Sequence, residues 1–305
     1  MITIEESRAR AEIIVNACAG SIKDADPTQE LKHHFATHGV EASIHLARRS
    51  ADVGDMARRA VQANPDTVVA GGGDGTMNAV ASAVLGTGVP LGVLPLGTLN
   101  HFAKDLGVPL EIEAAVADVC RGRVVSVDVG RVNGRLFLNS SSLGLYPRFV
   151  KGREVLRGHF GWSKWPAFAW AAVAVLRRSP FLRIRLRVED EEITRRTPLV
   201  FVGNNAYELE GFNLGARSCL DAGYLSLYII NRTDRMALFA LAARALFRRL
   251  RQAQDFDSFC VQRVEVTSRH KHMMVAIDGE VRELETPLVY HVEKCALPVI
   301  VPANI

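Results

Sequence analysis

Two different periods of apolar residues run along this chain. In the first third, short apolar runs alternate with stretches in which apolar positions recur every three to four residues. The pattern predicts strands at 12–16, 42–46, 67–70 and 89–94. It predicts helices at 28–37, 52–63 and 111–120, and another over the apolar positions from Met77 to Leu85. Such alternation argues for a parallel sheet covered on both faces by helices. After Val124 the two-residue period dominates. Asn133-Gly134, between apolar runs at 125–132 and 136–140, is a hairpin signal. Further strands are expected at 181–188, 199–202, 225–230, 261–267, 273–277 and 288–292, with helical segments around 155–178 and 236–250. The expected fold class is α/β: an N-terminal parallel-sheet domain over 1–124, which 294–305 is a candidate to complete, and a mainly antiparallel, β-sandwich-like domain over 125–293.

Composition narrows the picture. At 305 residues, with 48% hydrophobic, the chain is long enough for two cores and too apolar for disorder. Five scattered cysteines with no C-x-x-C pair argue against a disulfide framework or zinc knuckle, and for a reducing compartment. Each is read as a small buried hydrophobe. The acidic N-terminus lacks a signal-peptide layout, and the longest apolar run, 165–176, is about half of what a spanning helix needs. A cytoplasmic location is expected.

The net charge of +4 is mild, but its distribution is uneven. Between Arg148 and Arg187 the chain carries many arginines and lysines against the single acid Glu154, together with all three tryptophans. Cations beside aromatics suit the headgroup level of an anionic membrane, so peripheral membrane association through 148–187 is expected. Nucleic acid is not expected as a partner, because no recognised binding motif is present. A homodimer stays open.

The chemistry concentrates in turns at predicted strand ends. Gly71-Gly72-Gly73-Asp74-Gly75-Thr76 lies between a strand and a helix. Glycines there let backbone N–H groups approach an anion, and the helix start adds partial positive charge. The turns at 16–20 and 97–100 also follow predicted strands, and ligands of parallel sheets bind beyond such ends. Asp74 is a carboxylate where phosphate oxygens would sit, which calls for a cation or a reacting proton. Asn78 and Asn100 read equally as caps or turn residues. Late in the chain, Asp278-Gly279-Glu280 reads as a polar hairpin turn or, beside the glycine loop, as a pair of acids able to take a proton.

Three stretches together resemble the diacylglycerol kinase catalytic-domain family, which includes soluble bacterial lipid kinases and sphingosine and ceramide kinases. They are Gly72-Gly73-Asp74-Gly75-Thr76 with Asn78, Pro95-Leu96-Gly97-Thr98-Leu99-Asn100 running on to Gly107, and Asp278-Gly279-Glu280. Asn16-Ala17-Cys18-Ala19-Gly20 is similar to the family's opening turn. The resemblance implies ATP-dependent phosphorylation of a lipid hydroxyl with Mg2+, an ATP-binding domain, a lipid-binding domain and an active site between them. It implies nucleotide contacts at Asn16, Gly20, Gly72, Gly73, Gly75, Thr76, Asn78, Thr98 and Asn100. It assigns Glu280 as proton acceptor, with Asp278 and Asp74 as acidic partners. The family's structural-magnesium aspartate is replaced by Ala222, leaving the adjacent Asp221 as the candidate ligand. Two alternatives remain: a non-catalytic lipid- or nucleotide-binding module of the same fold, and a nicotinamide dinucleotide kinase-like enzyme, which would share the GGDGT loop.

Overall fold

A computed structural model of the chain describes residues 9–20, 26–145, 147, 181–188, 191–207, 217, 219–230 and 256–303. The chain forms two compact units, Met1–Val127 with Cys295–Ile305, and Asp128–Lys294. It passes from the first unit to the second within one strand, β5 (Arg123–Val132), and returns within another, β16 (Leu288–Val301).

In the first unit the strands β1 (Arg10–Asn16), β2 (Glu41–Ala47), β3 (Thr67–Gly72) and β4 (Leu91–Pro95) lie in the order β2-β1-β3-β4, all parallel. The end of β16 adds a fifth parallel strand beside β4, with Val299 opposite Leu91. Every residue of β3 and β4 is buried, as a central strand covered on both faces requires. The edge strand β2 instead alternates exposed and half-buried residues. The helices are α1 (Thr28–Thr37), α2 (Val53–Gln62), α3 (Asp74–Val84), α4 (His101–Asp105) and α5 (Ile112–Arg121). They turn apolar stripes inward: Leu31 and Phe35 on α1, Val53, Ala57 and Ala60 on α2, and Met77, Val80, Ala81 and Val84 on α3.

The second unit is a β-sandwich. Its antiparallel sheet has the order β12 (Phe256–Val261), β11 (Leu225–Ile230), β10 (Leu199–Asn204), β7 (Ser140–Gly144), β14 (His272–Ile277), β15 (Glu280–Glu285). The facing layer sets β16 against β13 (Arg263–Ser268), β8 (Leu182–Val188) and β9 (Glu191–Thr197), with β5 and β6 (Arg135–Phe137) joining at β16. One core fills the space between: Val200, Val202, Leu227 and Val275 from one sheet meet Ile184, Leu186, Val264, Val266 and Tyr290 from the other. Tyr290 is completely buried, and its hydroxyl bonds Ser141 Oγ on the opposite sheet at 3.1 Å. Burial pushes that hydroxyl well above the usual phenol range.

Some expectations change. Strand β9 is not predicted, because its charged sequence turns few apolar residues toward the core. Strand β16 runs fourteen residues rather than stopping near 292, since the exposed Lys294 and Cys295 interrupt its pattern but not its backbone. The cysteines are not buried hydrophobes: Cys18, Cys260 and Cys295 are exposed and Cys120 and Cys219 half-buried. They sit in a turn, on an edge strand and at a positive-φ kink rather than on core faces. Burial nonetheless raises the Cys120 thiol to about 11. The helices expected around 155–178 and 236–250 lie outside the described residues, as does all of 148–180 from the expected membrane segment. Among the described residues, no helix is long and apolar enough to cross a membrane.

Candidate active site

In the first unit, β1, β3 and β4 each end in one of the three turns picked out from the sequence, and side chains stitch those turns together. Asn16 is buried and donates from Nδ2 to Thr76 Oγ1 at 3.0 Å and to Ser50 Oγ at 3.2 Å. Its Oδ1 accepts the Cys18 N–H, which closes the first turn. Asp74, the first residue of α3, accepts the Phe102 N–H at 3.0 Å and so ties the glycine loop to the start of α4. Asn100 takes a left-handed backbone with φ of 52°. Its side chain accepts from Gly97 N–H and donates to the carbonyls of Pro95 and Gly97, so it shapes the third turn from within.

The glycines are required by closeness. A Cβ on Gly97 would lie 2.3 Å from Gly73 Cα, so two backbones touch here with no room for a side chain. A Cβ on Gly72 would fall 2.4 Å from Thr76 Oγ1, and one on Gly20 2.6 Å from Thr98 Oγ1. Gly75 and Thr98 are exposed at the rim, Asn78 is half-buried one turn into α3, and the apolar Leu99 stands exposed beside Thr98. The result is a surface of closely spaced peptide groups at the beginning of α3, a geometry that suits phosphate.

In the second unit, Asp278 and Gly279 have φ of 45° and 86° and form the two-residue turn joining β14 to β15. The Asp278 carboxylate accepts three backbone N–H groups, from Leu138, Asn139 and Ser140, at 2.8, 2.9 and 2.9 Å. The same segment is held from its carbonyl side. Arg217 Nη1 donates to Leu138 O at 2.7 Å, and Asn204 Nδ2 to the same oxygen at 3.0 Å. Arg217 also reaches Asn139 Oδ1, and Tyr207 Oη donates to Asn139 O. Glu280 differs: it is exposed, with Arg282 at 2.9 Å.

Asp221 is exposed at the bend before β11. The carboxylate that organises this bend is Asp128, buried on β5, whose Oδ2 accepts the Gly223 N–H at 2.6 Å. Among the described residues, no three of histidine, cysteine, aspartate and glutamate group as a metal site.

Comparison with known proteins gives this geometry a family. The profile of the diacylglycerol kinase catalytic domain matches residues 10–132, and that of the YegS C-terminal NAD kinase beta sandwich-like domain matches residues 157–301. Residues 10–132 thus match a diacylglycerol kinase catalytic domain, and most of the rest of the chain matches the C-terminal domain of a lipid kinase-like protein. A diacylglycerol kinase of Staphylococcus saprophyticus is 28% identical over 234 residues, 74% of each chain. A Klebsiella pneumoniae protein named "Probable lipid kinase YegS-like" is 28% identical over 247 residues, 79% of this chain and 80% of its own. The crystal structure of a diacylglycerol kinase from Bacillus anthracis superposes with a TM-score of 0.70, covering 97% of this chain and 98% of the other, and at 19% identity shows the shared fold.

Sequence reasoning overlooked Asp128, Asn139, Asn204 and Arg217. None belongs to a local motif. Their partners lie 66 to 95 positions away for Asn204 to Leu138, Arg217 to Leu138 and Asp128 to Gly223. A lone arginine between apolar strands was the one available signal, since a buried guanidinium demands several acceptors.

Proposed function

We propose that this lipid kinase transfers the γ-phosphate of ATP to the hydroxyl of diacylglycerol or a related lipid, working at the membrane surface from the cytoplasm. The observation that supports it most is the contact of Gly73 with Gly97, which with the Asn16–Thr76 bond gathers three turns at the start of α3. Phosphoryl transfer asks a protein mainly for positioning and charge stabilisation. In this reading Asn16, Gly20, Gly72, Gly73, Gly75, Thr76, Asn78 and Thr98 form the nucleotide site, and Asn100 sets the shape of the third turn.

Asp74 is the carboxylate that would hold Mg2+ beside the phosphates, an oxygen donor of the kind this ion prefers. When bound, the ion would neutralise charge on the phosphates. Glu280 takes the proton of the lipid hydroxyl, because its carboxylate faces solvent while that of Asp278 is engaged by three N–H groups. Asp221 remains the position at which to test a structural metal, by Asp221→Asn with metal analysis.

The experiment is transfer of labelled γ-phosphate to diacylglycerol in mixed micelles. Labelled lipid is expected, and Asp74→Asn and Glu280→Gln should each lower turnover by about 100-fold or more. Unchanged rates in both variants would remove the assigned roles. ATP binding without transfer to any lipid would leave a non-catalytic module, and phosphorylation of NAD without lipid would reassign the acceptor.

A further inference from the structure

The outer face of the β9-β8-β13 layer, on the side away from the sandwich core, carries an unusual row of charges. Along β8, Ile184 and Leu186 point into the core, so Arg183, Arg185 and Arg187 project outward, and all three are exposed. Outward positions of one strand repeat every two residues, about 6.6 Å apart. On β9, Arg196 stands directly opposite Arg183. Like charges in such a cross-strand pair repel, so the fold tolerates this arrangement without gaining from it. Arg196 is steadied by stacking over the Phe181 ring, 5.0 Å from its centroid.

Among the described residues, two acids face this row and only partly offset it. Glu192 lies 3.6 Å from Arg185 and Glu265 3.8 Å from Arg187, both at the loose end of ion-pair distances. Arg183 and Arg196 have no carboxylate within ion-pair distance among the described residues. The described surface is therefore cationic, with its arginines spaced by strand geometry.

We propose that this arginine face is the docking surface for an anionic lipid bilayer. The laterally mobile phosphates of a bilayer can match a row of arginines spaced along a strand. Arginine suits phosphate because it presents paired donors in a planar fork. The choice of a bilayer over other polyanions rests on the lipid-kinase reading. It locates membrane contact on the outer face of β8 and β9, the described end of the basic segment at 148–187 together with Arg196 on the neighbouring strand.

The test is flotation of the purified full chain with vesicles of phosphatidylcholine alone or with roughly one third phosphatidylglycerol. Binding is expected only to the anionic vesicles, and is lost at 1 M salt, where the Debye length falls to about 3 Å. A basic residue near such a surface is worth roughly fivefold in partitioning. With two of the three arginines already facing acids, Arg183→Gln/Arg185→Gln/Arg187→Gln should lower binding about tenfold or more. Arg196→Gln alone should lower it roughly fivefold. Glu192→Gln/Glu265→Gln removes the opposing acids and should raise binding, a gain that misfolding would not produce. Turnover of lipid dispersed in neutral detergent micelles should stay within about twofold in every variant. Equal vesicle binding by wild type and the triple variant would overturn the proposal, as would tighter binding to duplex DNA than to the anionic vesicles. Loss of vesicle binding in the triple variant with no kinase activity in the wild type would keep the surface and remove the enzymatic reading.

Discussion

The carboxylate of Asp278 accepts three backbone N–H groups, whereas that of Glu280, two residues on, stands in solvent beside Arg282. An amide at 278 would present donors to donors and leave at least one N–H without an acceptor. Asp278→Asn should therefore destabilise the protein by about 2–3 kcal/mol, the usual cost of breaking a charged, partly buried hydrogen bond. Glu280→Gln disturbs only a surface pair and should change stability by less than about 1 kcal/mol while depressing turnover. Urea denaturation beside steady-state kinetics reads both effects, and similar stability losses in the two variants would contradict the division of labour. The D-G-E motif drew attention to both acids from the sequence alone. Their different surroundings were not readable there, because the N–H groups that engage Asp278 come from residues about 140 positions earlier.

Among the elements, the glycine-rich turns depend on each other. Gly97 lies against Gly73, so Gly97→Ala sets a methyl group against backbone that cannot rotate away. It should cost about 1–3 kcal/mol in stability, as overpacking does, and remove most activity because the glycine loop must shift. Gly86→Ala makes a useful contrast: its Cβ would meet nothing within 4 Å, so the penalty comes from its φ of 80° alone. It should destabilise mildly and leave kinetics intact. Thermal melts and nucleotide titrations on both variants check the difference. Most elements were legible from their period, from α1 at Thr28–Thr37 to the hairpin at Asn133-Gly134. Among those that escaped, α4 is short and β9 and β15 are mostly charged, so tertiary pairing rather than pattern stabilises them, while β12 touches the expected strands only at its last residue, Val261.

For the whole molecule, the return of the chain through β16 matters most. Its last residues belong to the first unit, where Leu297 and Val299 are completely buried and Val301 nearly so. Burying three such side chains contributes roughly 5 kcal/mol. That is comparable to the entire stability of many domains. A chain ending at residue 294 should therefore express with an unfolded or aggregation-prone first unit. Circular dichroism and size-exclusion chromatography would show it, and a soluble, cooperatively melting product would refute the dependence.

Some properties of this protein follow from order along the chain alone. Period, turn residues and the glycine loop are local, and they carried the two-part α/β plan and the residues that mark the family. Other properties needed distant segments to meet. The N–H groups engaged by Asp278, the buried guanidinium of Arg217, the Gly73–Gly97 contact and the cross-strand pairing of Arg183 with Arg196 all join residues that no local pattern links. Hydrogen bonds and steric contacts act over a few ångströms, so which groups they join is decided only when the sheets have closed.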